Sequence, residues 1–286
     1  MHPSYLTPEA ITFFIESALA EDIGEGDHST LATVPRDRIT QARLIVKDTG
    51  ILAGVSLAQQ LYAHVDSTLQ VDYLLKDGSE IKPGDIAFIA EGRAHTILST
   101  ERLILNCMQR MSGVASYTHR VCKLLAGTKA KLMDTRKTTP NFRLMEKWAV
   151  GIGGATNHRF ALYDRIMIKD NHVDLAGGIR PAIESARKYL QESGKKLEIE
   201  VETRTMAEVE EVLAVGQVDV IMLDNMSLAE MTQAVKKIDG AFKTEASGGI
   251  TENNLKDVAG CGVDFISMGA LTHTVRSLDL SLKVLV

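Results

Sequence analysis

LEIEVETRTMAEVEEVLAVGQVDVIMLD, residues 197–224, reads as strand, helix, strand. Ile199 and Val201 alternate with Glu200 and Glu202, a period of two that puts both carboxylates on one face of a strand. Met206–Val215 has helical composition, and VDVIMLD (218–224) is a continuous apolar run ending in an acid. Two strands joined through a helix by short connections make a βαβ unit and a parallel sheet.

The rhythm extends both ways. KLMDT (131–135) and RIMIKD (165–170) precede it, and TEASGG (244–249) and DFISMGA (264–270) follow. Helical stretches fall at Ile179–Gln191, Ser227–Ile238 and Glu252–Ala259. Six such strands are fewer than the eight of a full barrel. The fold class expected is therefore α/β with a C-terminal incomplete (β/α) barrel of about six strands; an open doubly wound sheet is the alternative.

Before residue 130 the pattern differs. A helical stretch at Pro8–Leu19 leads into short strand-like pieces: ARLIVKD (42–48), GILAGV (50–55), QVDYLLKDGSEI (70–81) and DIAFIAEG (85–92). Turns are expected at Asp77-Gly78 and Pro83-Gly84. A helix over Ser99–Leu125 follows, its apolar face formed by Leu103, Met108, Met111, Val114 and Val121. This half reads as a small α+β domain; residues 1–112 are assigned to it and 113–286 to the barrel domain, with the C-terminal tail expected to pack on the first.

Composition narrows the function classes. The chain has 286 residues, 45% hydrophobic and 24% charged, enough to bury a full core. A net charge of −5 recommends no nucleic-acid partner. No apolar run reaches the roughly 20 residues of a membrane span, and MHPSYLTPEAITFF has no basic region suiting a signal peptide. Cys107, Cys122 and Cys261 are odd in number and far apart, as in a cytoplasmic protein with reduced thiols.

The chemistry-bearing residues sit where the strands end. KLM runs into Asp134-Thr135-Arg136-Lys137, RIMI into Lys169-Asp170-Asn171-His172, VIML into Asp224-Asn225, and TEA into Ser247-Gly248-Gly249. The last strand ends at Ser267 and Gly269. Parallel α/β folds gather their ligand site at this end. Arg136, Lys137, His158, Arg159 and Lys169 form a cationic set in an acidic protein, and Arg forks with Lys point charges receive carboxylate or phosphate. Glu202 is read as functional and Glu200 as structural; Asp224 suits a site or a helix N-cap equally. The glycines at 248, 249 and 269 let backbone N–H groups approach an anion. Gly151-Ile152-Gly153-Gly154 mimics a dinucleotide fingerprint but follows a helical stretch, Phe142–Val150, and is rejected as one. Polyanion, sugar and Mg2+ together describe the expected ligands.

On EDIGEGDHST (21–30), ERLILNCMQRMSGVAS (101–116), DTRKTTP (134–140), NHRFALYDRIMIKDNH (157–172), IEVET, IMLDN, EASGGI and VDFISMGALTHT, the chain resembles the quinolinate phosphoribosyltransferase family. The resemblance implies transfer of phosphoribosyl from phosphoribosyl pyrophosphate to quinolinate with loss of CO2, in a Mg2+-dependent homodimer whose subunits each have an N-terminal α/β sandwich domain and a C-terminal barrel of fewer than eight strands. It implies that Arg136, His158, Arg159 and Lys169 line the dicarboxylate and phosphate pocket beside Lys137, and that Arg102 reaches in from the partner. Glu202 and Asp224 then hold ribose hydroxyls and Mg2+, and Ser247, Gly248 and Gly269 cradle the 5′-phosphate; Lys137, Glu202 and Asp224 form the catalytic set. Asn141 departs from the family's usual Gly, and Ala155 interrupts a common glycine run. Two rival readings are a relative acting on another acceptor, such as the molybdenum-associated one, and a catalytically silent anion-binding protein.

Overall fold

The computed structural model describes residues 5–285. In chain order the first half comprises α1 (Pro8–Ile23), α2 (His28–Thr33), β1 (Ile39–Val46), β2 (Gly50–Ile51), α3 (Val55–Val65), β3 (Gln70–Tyr73), β4 (Glu80–Ile81), β5 (Ile86–Arg93) and α4 (Ala94–Leu124). Then come β6 (Lys131–Met133), α5 (Arg143–Ile152), β7 (Ile166–Ile168), α6 (Asp170–Ala176), α7 (Ile179–Ser193), β8 (Ile199–Thr203), α8 (Met206–Val215) and β9 (Val220–Asp224). The chain closes with α9 (Leu228–Ile238), β10 (Lys243–Ser247), α10 (Leu255–Gly260), β11 (Phe265–Ser267), α11 (Ala270–His273) and β12 (Leu280–Leu285). It forms two compact units. One contains residues 1–120, 138–154 and 271–286; the other contains 121–137 and 155–270.

The first unit is built on an antiparallel sheet in the order β12-β1-β5-β3. Ala42, Leu44 and Val46 point from β1 into the core, where Phe88 packs edge-on against Tyr62. On α4 the expected apolar face is buried, with Met108, Met111, Val114 and Val121 all inaccessible. Gly78 and Gly84 take φ of 85° and 94°, as the expected turns require. Two readings need correction here. GILAGV is strand only at Gly50–Ile51, because Gly54 adopts φ 95° and starts α3, whose Val55 and Ser56 N–H groups donate to Asp77. The long helix begins at Ala94, five residues before the expected Ser99.

The second unit carries a parallel sheet ordered β6-β11-β10-β9-β8-β7. A doubly wound sheet reverses its strand order at a switch point. This one runs from β7 to β11 without reversal, and β6 comes next to β11, the cyclic order of a barrel. Beyond β6 a single parallel bridge joins Met133 to Thr156. The sheet is thus an incomplete (β/α) barrel of six strands, in agreement with the sequence. Among the described residues, no helix is long and apolar enough to cross a membrane.

Candidate active site

Strand register brings the predicted residues level. Asp224 pairs with Ser247, Ser267 with Met133 and Ile168 with Val201, so the residues that follow these positions emerge at one end of the second unit. Asp134 is fully buried and accepts from the His158 N–H and the Asn157 amide, each at 2.8 Å. It thereby fixes the loop that carries His158 and Arg159.

Below the rim lies a buried polar floor. His158 Nε2 is 3.1 Å from Glu200 Oε2 and 3.5 Å from Glu245 Oε2, and Arg165 reaches the same Glu200 oxygen at 3.2 Å. Burial and the charge of Glu200 push Glu245 up to about 7, while hydrogen bonds and attraction from His158 and Arg165 outweigh burial and lower Glu200. Burial disfavours charge on the His158 ring, while the two carboxylates favour it. However, the Arg159 N–H donates to Nδ1 at 2.7 Å, which needs a lone pair there. The ring proton therefore sits on Nε2, facing the carboxylates, and a second would break the Arg159 bond.

The rim is more open. Lys169 Nζ lies 3.3 Å from Glu202 Oε2, linking the ends of β7 and β8; their side chains are 46% and 10% exposed. Burial and the positive charge of Arg136 lower the Arg159 guanidinium, so these two cations crowd one another. Such a pair is stabilised by an arriving anion. Lys137 is exposed beside Arg136, its N–H bonded to Thr135 Oγ1. Arg102 is exposed on α4 in the first unit.

Asp224 is partly exposed, and it is not a helix cap. Ser227 caps α9, with Glu230 completing the capping box. Gly248 and Gly249 have φ of 88° and 61°, which favour glycine. The following helix begins at Leu255, not Glu252, so the loop from 248 to 254 separates the glycines from it. Gly269 lies two residues after β11 and directly precedes α11. Asn141 adopts φ 61°, a conformation glycine would take freely and asparagine tolerates, so the loop absorbs that substitution. The Gly151-Ile152 pair ends α5, which supports rejecting a dinucleotide fingerprint.

The second unit is thus an incomplete barrel whose strand ends gather cations, two accessible carboxylates and glycine turns, the make-up of an α/β enzyme handling anionic substrates. The chain belongs to the quinolinate phosphoribosyltransferase family: the family's N-terminal domain matches residues 27–112 and its C-terminal domain residues 114–283. It is 43% identical to a chloroplastic nicotinate-nucleotide pyrophosphorylase (carboxylating) of Arabidopsis thaliana, covering 99% of this chain and 84% of that protein. A probable enzyme of the same name from Bacillus subtilis is 41% identical, covering 92% and 90%. The solved structure of NadC from Streptococcus pyogenes superposes with a TM-score of 0.91 at 39% identity, covering 99% of this chain and all of the other.

Proposed function

We propose that this chain transfers the phosphoribosyl group of phosphoribosyl pyrophosphate to the ring nitrogen of quinolinate, releasing pyrophosphate and CO2 and giving nicotinate mononucleotide for NAD biosynthesis. The observation that carries the reading is the pairing, at one end of one barrel, of a crowded cation set with two partly exposed carboxylates. Arg136, Arg159 and Lys169 take the dicarboxylate and phosphate charges, with Lys137 beside them, and His158, expected from the sequence among them, instead anchors the Arg159 loop from the buried floor. Lys169 leaves Glu202 for the incoming anion, which frees Glu202 for the sugar side.

Glu202 and Asp224 stand at the ends of neighbouring strands as hard oxygen donors. That set fits Mg2+, which binds through one or two carboxylates together with substrate phosphates. When bound, the ion offsets charge developing on the pyrophosphate leaving group. Lys137, Glu202 and Asp224 form the catalytic group: the carboxylates favour the positively charged sugar, and the lysine lies where leaving-group charge grows. The Ser247-Gly248 turn and the Gly269 backbone hold the 5′-phosphate. Fixing both polyanions in line supplies proximity. Once the ring nitrogen is alkylated, its positive charge stabilises the C2 carbanion left by CO2, which takes a proton from water to give the C2–H of the product.

The functional unit is a homodimer in which Arg102 completes the partner's pocket, and the free thiols Cys107, Cys122 and Cys261 suit a cytoplasmic setting. Quinolinate-dependent CO2 release, assayed with phosphoribosyl pyrophosphate and with or without Mg2+, tests the reading. One CO2 per pyrophosphate, abolished by chelation, is expected; consumption of phosphoribosyl pyrophosphate without CO2 would assign another acceptor.

A further inference from the structure

Asn225 follows Asp224 and has φ 53°, in the left-handed region where a non-glycine residue is strained. Asparagine tolerates it better than most residues, but something must still hold it there. Its backbone N–H donates to Ser247 O at 2.9 Å, tying the end of β9 to the end of β10. Its amide Nδ2 donates to Asp224 Oδ2 at 2.8 Å. The same side chain fills the space beside Gly248: a Cβ placed on that glycine would lie 2.2 Å from Asn225 Oδ1 and 2.4 Å from its Cγ. An exposed residue with these three engagements, one through its backbone and two through its side chain, links a carboxylate to a glycine turn.

We propose that Asn225 is a positioning residue for the transfer reaction: its amide fixes the Asp224 carboxylate and holds it in step with the Ser247-Gly248 turn. The inference rests on the assignment of Asp224 to the sugar and metal side. A donated hydrogen bond at Oδ2 removes the rotational freedom of a short acidic side chain and leaves Oδ1 for the ligand. The filled space at Gly248 also explains why that position has no room for a side chain, beyond its φ of 88°.

The test compares Asn225→Asp, Asn225→Gly and Asp224→Ala by Tm, kcat and the KM of each substrate. Aspartate is isosteric and tolerates the left-handed backbone, but it sets a carboxylate against Asp224 in place of a donor. Glycine relieves the backbone and removes the amide. Expected are a loss of about 100-fold in kcat for Asn225→Asp and about tenfold for Asn225→Gly. Tm should stay within a few degrees of the parent, the quinolinate KM should be unchanged, and the KM for phosphoribosyl pyrophosphate should rise. A turn-forming role alone predicts near-parental kcat for both. If Asn225→Asp does not fold, Asn225→Gly decides, because glycine suits the backbone. Parental kcat in Asn225→Gly, or in a folded Asn225→Asp, overturns the inference when Asp224→Ala is inactive. Near-normal turnover in Asp224→Ala would instead overturn the underlying assignment of Asp224.

Discussion

Glu200 and Glu202 stand two residues apart on β8 and face the same way, yet they occupy different media. Glu200 is fully buried between His158 and Arg165, with Glu245 against the same ring nitrogen of His158. Glu202, about two strand rises further along, is reached by solvent and meets the half-exposed Lys169. Both carboxylates have a cationic partner, so pairing does not distinguish them. Depth does: the deep one is spent on holding the barrel floor, and the shallow one can exchange its lysine for a ligand. The roles proposed for the two carboxylates, support for Glu200 and chemistry for Glu202, thus lie one step of two residues apart on one strand.

The largest effect should come from the rim. Glu202→Ala and Asp224→Ala should each lower kcat by about 10²–10³-fold while quinolinate binding, followed by calorimetry, changes little. Lost quinolinate affinity with normal turnover at saturation would reverse the division of roles. The floor should respond in the opposite way. Glu200→Ala removes the buried carboxylate that His158 and Arg165 share and should cost about 3–5 kcal/mol of stability in denaturant unfolding, against about 1 kcal/mol or less for Glu202→Ala. Equal stability losses would erase the contrast.

Assembly gives an intermediate effect. Arg102→Ala and Lys169→Ala proteins, each nearly inactive, should regain activity when mixed and re-associated. About half of the dimers are then hybrids with one intact site each, so about a quarter of all sites should work. No recovery after proven subunit exchange would remove Arg102 from the partner's site.

The smallest effect is on pH dependence. Glu245 is raised in the folded protein to about 7 from 4.5. The folded state therefore holds a proton that the unfolded state releases, and the contribution to stability is full below about pH 4.5 and lost as pH rises through about 7. Glu245→Gln should flatten that part of the Tm–pH curve, and an unchanged curve would show that Glu245 does not titrate there.

Much of this contrast was legible in the sequence, and the limits have physical causes. The strand-end placement of Lys169, Glu202, Asp224 and Ser247 follows from apolar runs that stop at polar residues, and α8 spans the expected Met206–Val215. The period of two placed Glu200 and Glu202 on one face but could not say how deep each lies. That depends on Glu245 and His158, which are distant in sequence and meet only when the sheet curls. The start of α3 escaped for a similar reason, since its cap, Asp77, lies 22 residues after Val55. Asn225 gave no signal of its own, because its role depends on φ and on its approach to Gly248.

The proposed function depends most on recognition of two carboxylates by the rim cations. Its most direct test is the ratio of kcat/KM for quinolinate to that for nicotinic acid, which lacks the 2-carboxylate, measured with phosphoribosyl pyrophosphate at saturation. Cations left unpaired in a shaped site are expensive, so quinolinate should be favoured by about 10³-fold or more. Comparable values for the two acceptors would contradict the account.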